Sequence, residues 1–208
     1  MGNSRSPVPF GFGAVHLCID MQNIFAPGAP WAAPWMPRVL PVVTALAERF
    51  AHQTIFTRFI TPAHPDEMPG MWRRYYQKWR DLTRERIDPA LLELVPELAR
   101  LVPPAKVFQK ARYSAFSSPD LRLELRQRKV NTLVVTGSET DVCIVATVMA
   151  AVDLGYRVVV VTDGLCSSSD EGHDALMKVY HTRFAEQIET ATAEQVLSEW
   201  QPAQVAGC

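Results

Sequence analysis

Three side chains in this sequence are of types that, brought together, attack a carbonyl carbon and manage the proton that goes with the attack: Cys143, Asp20 and Lys110. A thiol is a poor nucleophile while protonated, and only the thiolate attacks a carbonyl well. Cys143 ends the turn GSETDVC (137–143), which follows an apolar run and opens a helical pattern. Free backbone N–H groups and the helix dipole at such a start favour negative charge. A lysine nearby adds a full positive charge, so the thiol pKa is expected to be lowered. Asp20, at the end of another apolar run, is suited to take the thiol proton and return it to a departing amine. Its own pKa is raised by partial burial and lowered by Lys110, and both directions stay open. Each residue also has a plainer alternative: Cys143 as a small buried hydrophobe, Asp20 as a turn carboxylate, Lys110 as a solvated strand end.

Elements able to carry these residues to one place are visible in the alternation of patterns. The runs AVHLCI (14–19), QTIFTR (53–58), AKVFQ (105–109), NTLVVT (131–136), RVVVVT (157–162) and a weaker EQIET (186–190) have the β-branched and aromatic content of strands. Helical patterns lie at about 37–51, 88–101, 119–129, 141–154, 170–184 and 192–200. Thr140 or Asp141 is suited to cap the fourth helix, which Gly155 would end, and Ser118-Pro119 to open the third. Six strand-then-helix units with near-continuous apolar strands imply a doubly wound α/β fold, a parallel sheet covered on both faces. In such sheets ligands sit outside the carboxyl ends of the strands, where strand order reverses. Asp20 follows the first strand, Lys110 the third and the cysteine turn the fourth, so all three reach one edge.

The same segments resemble a known family. CIDMQNIF (18–25), KARYSAF (110–116) and VVTGSETDVCIVATVMAAVDLGYRVVVVTDG (134–164) look like the three motifs of the isochorismatase-like cysteine hydrolases, in the right order, with the resemblance covering about residues 12–200. It implies a six-stranded parallel sheet in order 3-2-1-4-5-6, which sets the first and fourth strands side by side at the switch point. It also implies hydrolysis by the amidohydrolase branch: cleavage of the C–N bond of a small amide, ureido or N-carbamoyl compound through a thioester-type intermediate on Cys143. Relatives carry a cis peptide four to five residues before the cysteine, corresponding here to Ser138–Glu139. That bond is therefore expected to be cis, with the N–H groups of Glu139 and Cys143 forming the oxyanion hole. A homo-oligomer, dimer or tetramer, is implied as well.

One branch of the family, the nicotinamidases, holds a divalent metal through an Asp and histidines just after the second strand. Here Phe59 stands where that Asp would be and Thr61 where a His would be, leaving only His64 nearby. No metal and no other cofactor is therefore expected. The stretch 59–87 breaks the strand–helix rhythm and is read as a long pocket or interface loop, since connections of that length in compact domains usually serve function. Its Trp72, Arg73, Arg74, Tyr75, Tyr76 and Trp79 suit a pocket wall or a subunit surface equally. Arg58, nearest a strand end, is the first choice for holding a substrate carboxylate. Gln22, Phe25 and Phe116 are further candidates for substrate contact. Asn23 and Ser114 are read as bracing loops, Asp141 as a helix cap, and Cys18 and Cys166 as bystanders.

Bulk properties narrow the classes. The 208 residues are 48% hydrophobic and 21% charged, and 21 Lys and Arg against 22 Asp and Glu give a formal charge of −1. One domain over residues 1–208 is expected, with a Pro/Gly-rich lead-in at 1–13 and a short tail from 201. No global field draws nucleic acid or an anionic membrane, and no segment nears about 20 uninterrupted apolar residues. Four cysteines without a CxxC pair or zinc-ligand spacing suggest reduced thiols in a cytoplasmic protein. A dinucleotide-binding protein shares the fold class, but no Gly-x-Gly-x-x-Gly follows the first strand. Within the family, a vinyl-ether hydrolase needs no cysteine nucleophile, and a silent interaction protein would have lost one of the three residues.

Overall fold

A computed structural model describes residues 10, 11 and 13–200. The expected tail, and the lead-in through residue 9, lie outside those residues. Six strands, β1 (Ala14–Ile19), β2 (Thr54–Phe59), β3 (Lys106–Lys110), β4 (Thr132–Ser138), β5 (Arg157–Cys166) and β6 (Ile188–Ala191), pair in parallel in the order β3-β2-β1-β4-β5-β6. This is the expected sheet. Strand periodicity sorts its faces. Val15, Leu17 and Ile19 of β1 pack under α4 (Pro119–Gln127), α5 (Val145–Asp153) and α6 (Asp170–Thr182). Ala14 and Cys18 face the other way, among residues of α1 (Met36–Arg49), α3 (Pro96–Ala99) and α7 (Ala193–Glu199). Among the described residues no helix is long and apolar enough to cross a membrane.

The helices depart from expectation in three places, each with a local cause. The helix expected at 88–101 is a 3₁₀ turn (Pro89–Leu92) and the four-residue α3. Pro96 forces Val95 to an extended ψ of 145°, which ends any continuous helix. The long loop at 59–87 contains a helix, α2 (Gly70–Lys78). Its aromatic residues at 72, 75, 76 and 79 have the i, i+3, i+4, i+7 spacing of one helical face. The segment before α5 opens as a π-turn (Thr140–Ile144) with no side-chain cap; Asp141 instead accepts a hydrogen bond from Ser167 Oγ at 2.5 Å. The remaining punctuation holds: Ser118 Oγ caps α4 on Leu121 N–H, with Pro119 in the first turn, and Gly155 follows α5 at φ +82°. β5 runs past its expected end through Cys166, with a register shift opposite Val135/Gly137.

Candidate active site

β1 and β4 are neighbours, and their approach is closest where the site begins. Gly137 has φ +120°, and a Cβ there would lie 2.1 Å from the Ile19 carbonyl oxygen. Only glycine lets the two backbones run this near each other. One residue past the end of β1, Asp20 sits at φ +50°, a left-handed conformation that Asp tolerates better than most residues. That conformation costs roughly 1–2 kcal/mol. It turns the chain at the strand end, and Asp20 is fully buried there.

Asp20 is held on both carboxylate oxygens. Thr57 Oγ1 of β2 donates to Oδ1 at 2.7 Å, and Lys110 Nζ, at the end of β3, lies 2.6 Å from Oδ2. The lysine also reaches Cys143 Sγ at 3.5 Å and the Arg112 carbonyl at 3.0 Å, and its ammonium lies 4.9 Å from the Phe59 ring centroid. The three residues foreseen for chemistry are thus one buried cluster fed by three strand ends. Burial works to lower the Lys110 pKa, but Asp20 and then Cys143 outweigh it and hold the ammonium above the ordinary lysine range.

The Cys143 thiol departs from expectation. Burial pushes its pKa well up, the Asp20 carboxylate adds to the rise, and Lys110 opposes it without prevailing. The resting thiol is therefore protonated beside a carboxylate, not a standing thiolate. Cys18 and Cys166, which lie in or at the end of strands, are pushed up to about 12, chiefly by burial.

Three threonines hold the frame, of which sequence reasoning notes only Thr140, as a candidate helix cap. Thr57 orients Asp20, as above. Thr147 Oγ1 donates to the Cys143 carbonyl at 2.7 Å and accepts from Ala115 N–H at 3.0 Å, tying the Lys110 loop to the Cys143 turn. Thr140 Oγ1 meets the His173 Nδ1 at 2.8 Å and the Cys166 carbonyl at 3.2 Å, anchoring the start of the π-turn. Thr57 and Thr147 are ordinary threonines in sequence; only their inward parity on strand or helix marks them. The Ser138–Glu139 peptide is cis, as expected. Val142 and Ile144 N–H both turn back to the Glu139 carbonyl, at 3.1 and 3.0 Å.

The further candidates are placed differently. Gln22 is fully buried, its amide donating to the Phe59 and Leu92 carbonyls and accepting from Phe59 N–H. Its polar atoms stitch the segment after β1 to the end of β2 and to the 3₁₀ turn at Pro89–Leu92. Arg58 points opposite to Thr57 and Phe59 by strand alternation and is paired with Glu93. Phe116 packs into the core on Tyr156, which precedes β5 and so lies toward the other edge of the sheet. Phe25 stacks at 6.1 Å on Trp31, which also meets Phe59, Tyr75 and Trp79. Asn23 and Ser114 brace loops, through the Ala90 carbonyl and Phe116 N–H.

The donor set after β2 does not suit a divalent ion. Phe59 lies beneath the Lys110 ammonium, Thr61 is buried, and His64 Nδ1 accepts from Asp66 N–H at 3.3 Å. Among the described residues no three His, Cys, Asp or Glu side chains converge at metal-binding spacing.

Comparison with known proteins agrees with this geometry. The isochorismatase domain family matches residues 14–192. An isochorismatase family protein of Bacillus subtilis, YwoC, is 26% identical over 168 residues, covering 78% of this chain and 83% of its own length. The maleamate amidohydrolase of Pseudomonas putida is 28% identical over 196 residues, 91% of this chain and 89% of that enzyme. A cysteine hydrolase structure from Pseudomonas syringae superposes with a TM-score of 0.80 at 20% identity, covering 96% of this chain and 98% of that one, a likeness of fold. The chain belongs to the isochorismatase family and is a hydrolase of that family.

Proposed function

We propose that this protein is a cysteine-dependent amidohydrolase that cleaves the C–N bond of a small amide, ureido or N-carbamoyl compound. The observation that carries the reading is the buried contact of Lys110 Nζ with both Asp20 Oδ2, at 2.6 Å, and Cys143 Sγ, at 3.5 Å. The name of the Pseudomonas putida relative, an amidohydrolase, supports the reaction class.

In this reading the Asp20 carboxylate takes the Cys143 proton as Sγ bonds to the substrate carbonyl carbon. The resulting oxyanion is held by the N–H groups of Cys143 and Glu139, which flank the nucleophile turn. Collapse breaks the C–N bond, and the leaving nitrogen carries away the proton from Asp20. Water, deprotonated by Asp20, then attacks the thioester (a thiocarbamate for a ureido substrate), releasing the acid and restoring the thiol. Lys110 keeps a positive charge beside whichever of Asp20 and Cys143 is ionised, so no step leaves an unpaired buried anion.

An ammonia-release screen over amides, ureides and carbamoyl amino acids tests the proposal, with Cys143→Ala as its control. Hydrolysis of at least one class should appear, and the variant should lose several orders of magnitude in rate. Near-normal turnover by Cys143→Ala, or no C–N cleavage across the panel, would overturn it.

A further inference from the structure

A second cation stands beside the cluster, and the mechanism above makes no use of its side chain. The Arg112 carbonyl accepts from Lys110 Nζ at 3.0 Å, so this residue is fixed directly against the catalytic lysine. Its guanidinium lies over Trp72, with Cζ 5.3 Å from the ring centroid. Nη1 donates to the Ala111 carbonyl at 2.8 Å and meets Met68 Sδ at 3.6 Å. Among the described residues no carboxylate pairs with Arg112, whereas Arg58, Arg100 and Arg157 each lie against one. Nη1 is thus occupied, while the Nε–Nη2 edge, the side of the guanidinium that matches a carboxylate in two parallel hydrogen bonds, has no partner among the described residues.

The surroundings tie this edge to the nucleophile. Trp72 contacts Tyr113, Tyr75 and Tyr76 with centroids 4.7, 5.6 and 6.2 Å away. All three phenols are pushed up, chiefly by burial, and Cys143 contributes to the rise in each. Lys110 Nζ links this segment to the thiol, reaching the Arg112 carbonyl at 3.0 Å and Cys143 Sγ at 3.5 Å. Tyr76 is completely buried, and among the described residues its hydroxyl has no hydrogen-bond partner.

We propose that Arg112 sets specificity: its Nε–Nη2 edge grips a carboxylate at the far end of the substrate, while the scissile carbonyl lies at Cys143. The substrate class is thereby an amide or ureide that bears a remote carboxylate. This inference rests on the amidohydrolase reading for the position of the scissile bond. Trp72 keeps the guanidinium plane in place without consuming its donors. Arg58, the arginine nearest a strand end, is already neutralised by Glu93.

The experiment separates the two readings by measuring binding without turnover. Full-length Cys143→Ala is titrated calorimetrically with succinamate and with 4-carbamoylbenzoate, each beside its methyl ester. Each carboxylate should bind at least about tenfold more tightly than its ester. Adding Arg112→Gln should bring that ratio near one, and Arg112→Lys should retain part of it, since charge survives while the fork is lost. Melting curves of both variants verify that they fold. Equal binding of acid and ester, binding of neither, or a preference that persists in Arg112→Gln would overturn the inference. If the preference follows Arg112 but the Cys143-bearing protein releases no ammonia from any amide, the hydrolytic reading fails and the carboxylate site stands.

Discussion

The cluster works through a balance of charges on single side chains, and Thr57 shows how finely it is set. Its hydroxyl supplies the hydrogen bond to Asp20 Oδ1 that leaves Oδ2 for Lys110. Thr57→Val keeps the shape and removes the donor, leaving a buried carboxylate oxygen unpaired at a cost of about 1–3 kcal/mol in stability. Catalysis should suffer more, because a base displaced by an ångström loses roughly a hundredfold in rate. The expected result is kcat/KM down by roughly tenfold to a hundredfold, mostly in kcat, with Thr57→Ser recovering most of it. Wild-type kcat in Thr57→Val would show that the hydroxyl positions nothing. That Asp20, Lys110 and Cys143 meet was legible from sequence, because each lies in a motif at or just after a strand end. Thr57 and Thr147 were not, since a hydroxyl in a strand or helix looks the same whether it faces a carboxylate or a neighbour's carbonyl. The direction of the Cys143 shift was also out of reach: helix start and lysine are visible in sequence, but the depth of burial that outweighs them is not.

Elements rather than residues decide how the strand ends converge, and glycine at 137 is the tightest constraint among them. Gly137→Ala would drive a Cβ into the Ile19 carbonyl at 2.1 Å with φ at +120°. Backbone cannot yield as a flexible side chain does, so the variant should lose roughly 3 kcal/mol or more. A melting temperature within a degree or two of wild type would show that β1 and β4 separate freely. The segment after β2 yields a second expectation. With Phe59 under the Lys110 ammonium and His64 engaged by Asp66 N–H, dialysis against a strong chelator should leave turnover unchanged. Elemental analysis showing a stoichiometric metal, with activity lost on its removal, would sink that expectation. Prolines and glycine around α2 read as loop punctuation in sequence, and they masked a helix whose aromatic spacing was present all along. The opposite error at 88–101 came from an apolar periodicity that Pro89 and Pro96 interrupt.

At the scale of the whole molecule, alternating strands and helices were enough to specify a parallel sheet covered on both faces, but not the order of its strands, which came only through the family resemblance. The reason is physical: periodicity records what each strand buries, whereas order depends on which crossover packs where. A sheet buried on both faces has no place for a charge in its middle, and His16 sits there, at the centre of β1. It is fully buried, bonded through Nδ1 to Thr54 Oγ1 at 3.1 Å and through Nε2 to Thr136 Oγ1 at 2.8 Å, thereby crossing all three central strands. Burial lowers its pKa to about 3 from an ordinary 6.5. Between those values the unfolded chain binds one proton more than the folded protein at this residue. Stability from a neutral His16 is therefore fully present above pH 6.5 and is lost as pH falls toward 3, by about 1.4 kcal/mol per pH unit. A non-titrating His16→Gln should be less stable at pH 7.5, because one amide does not reproduce both ring contacts. Its deficit should then shrink as pH drops, since it escapes the protonation that weakens the wild type. Urea unfolding of both proteins at pH 7.5, 6.0, 5.0 and 4.5 isolates this effect, because every other titrating group is common to the pair. A difference in unfolding free energy that stays constant across that range would mean His16 is protonated in the folded sheet, or is reached by water when the sheet is intact.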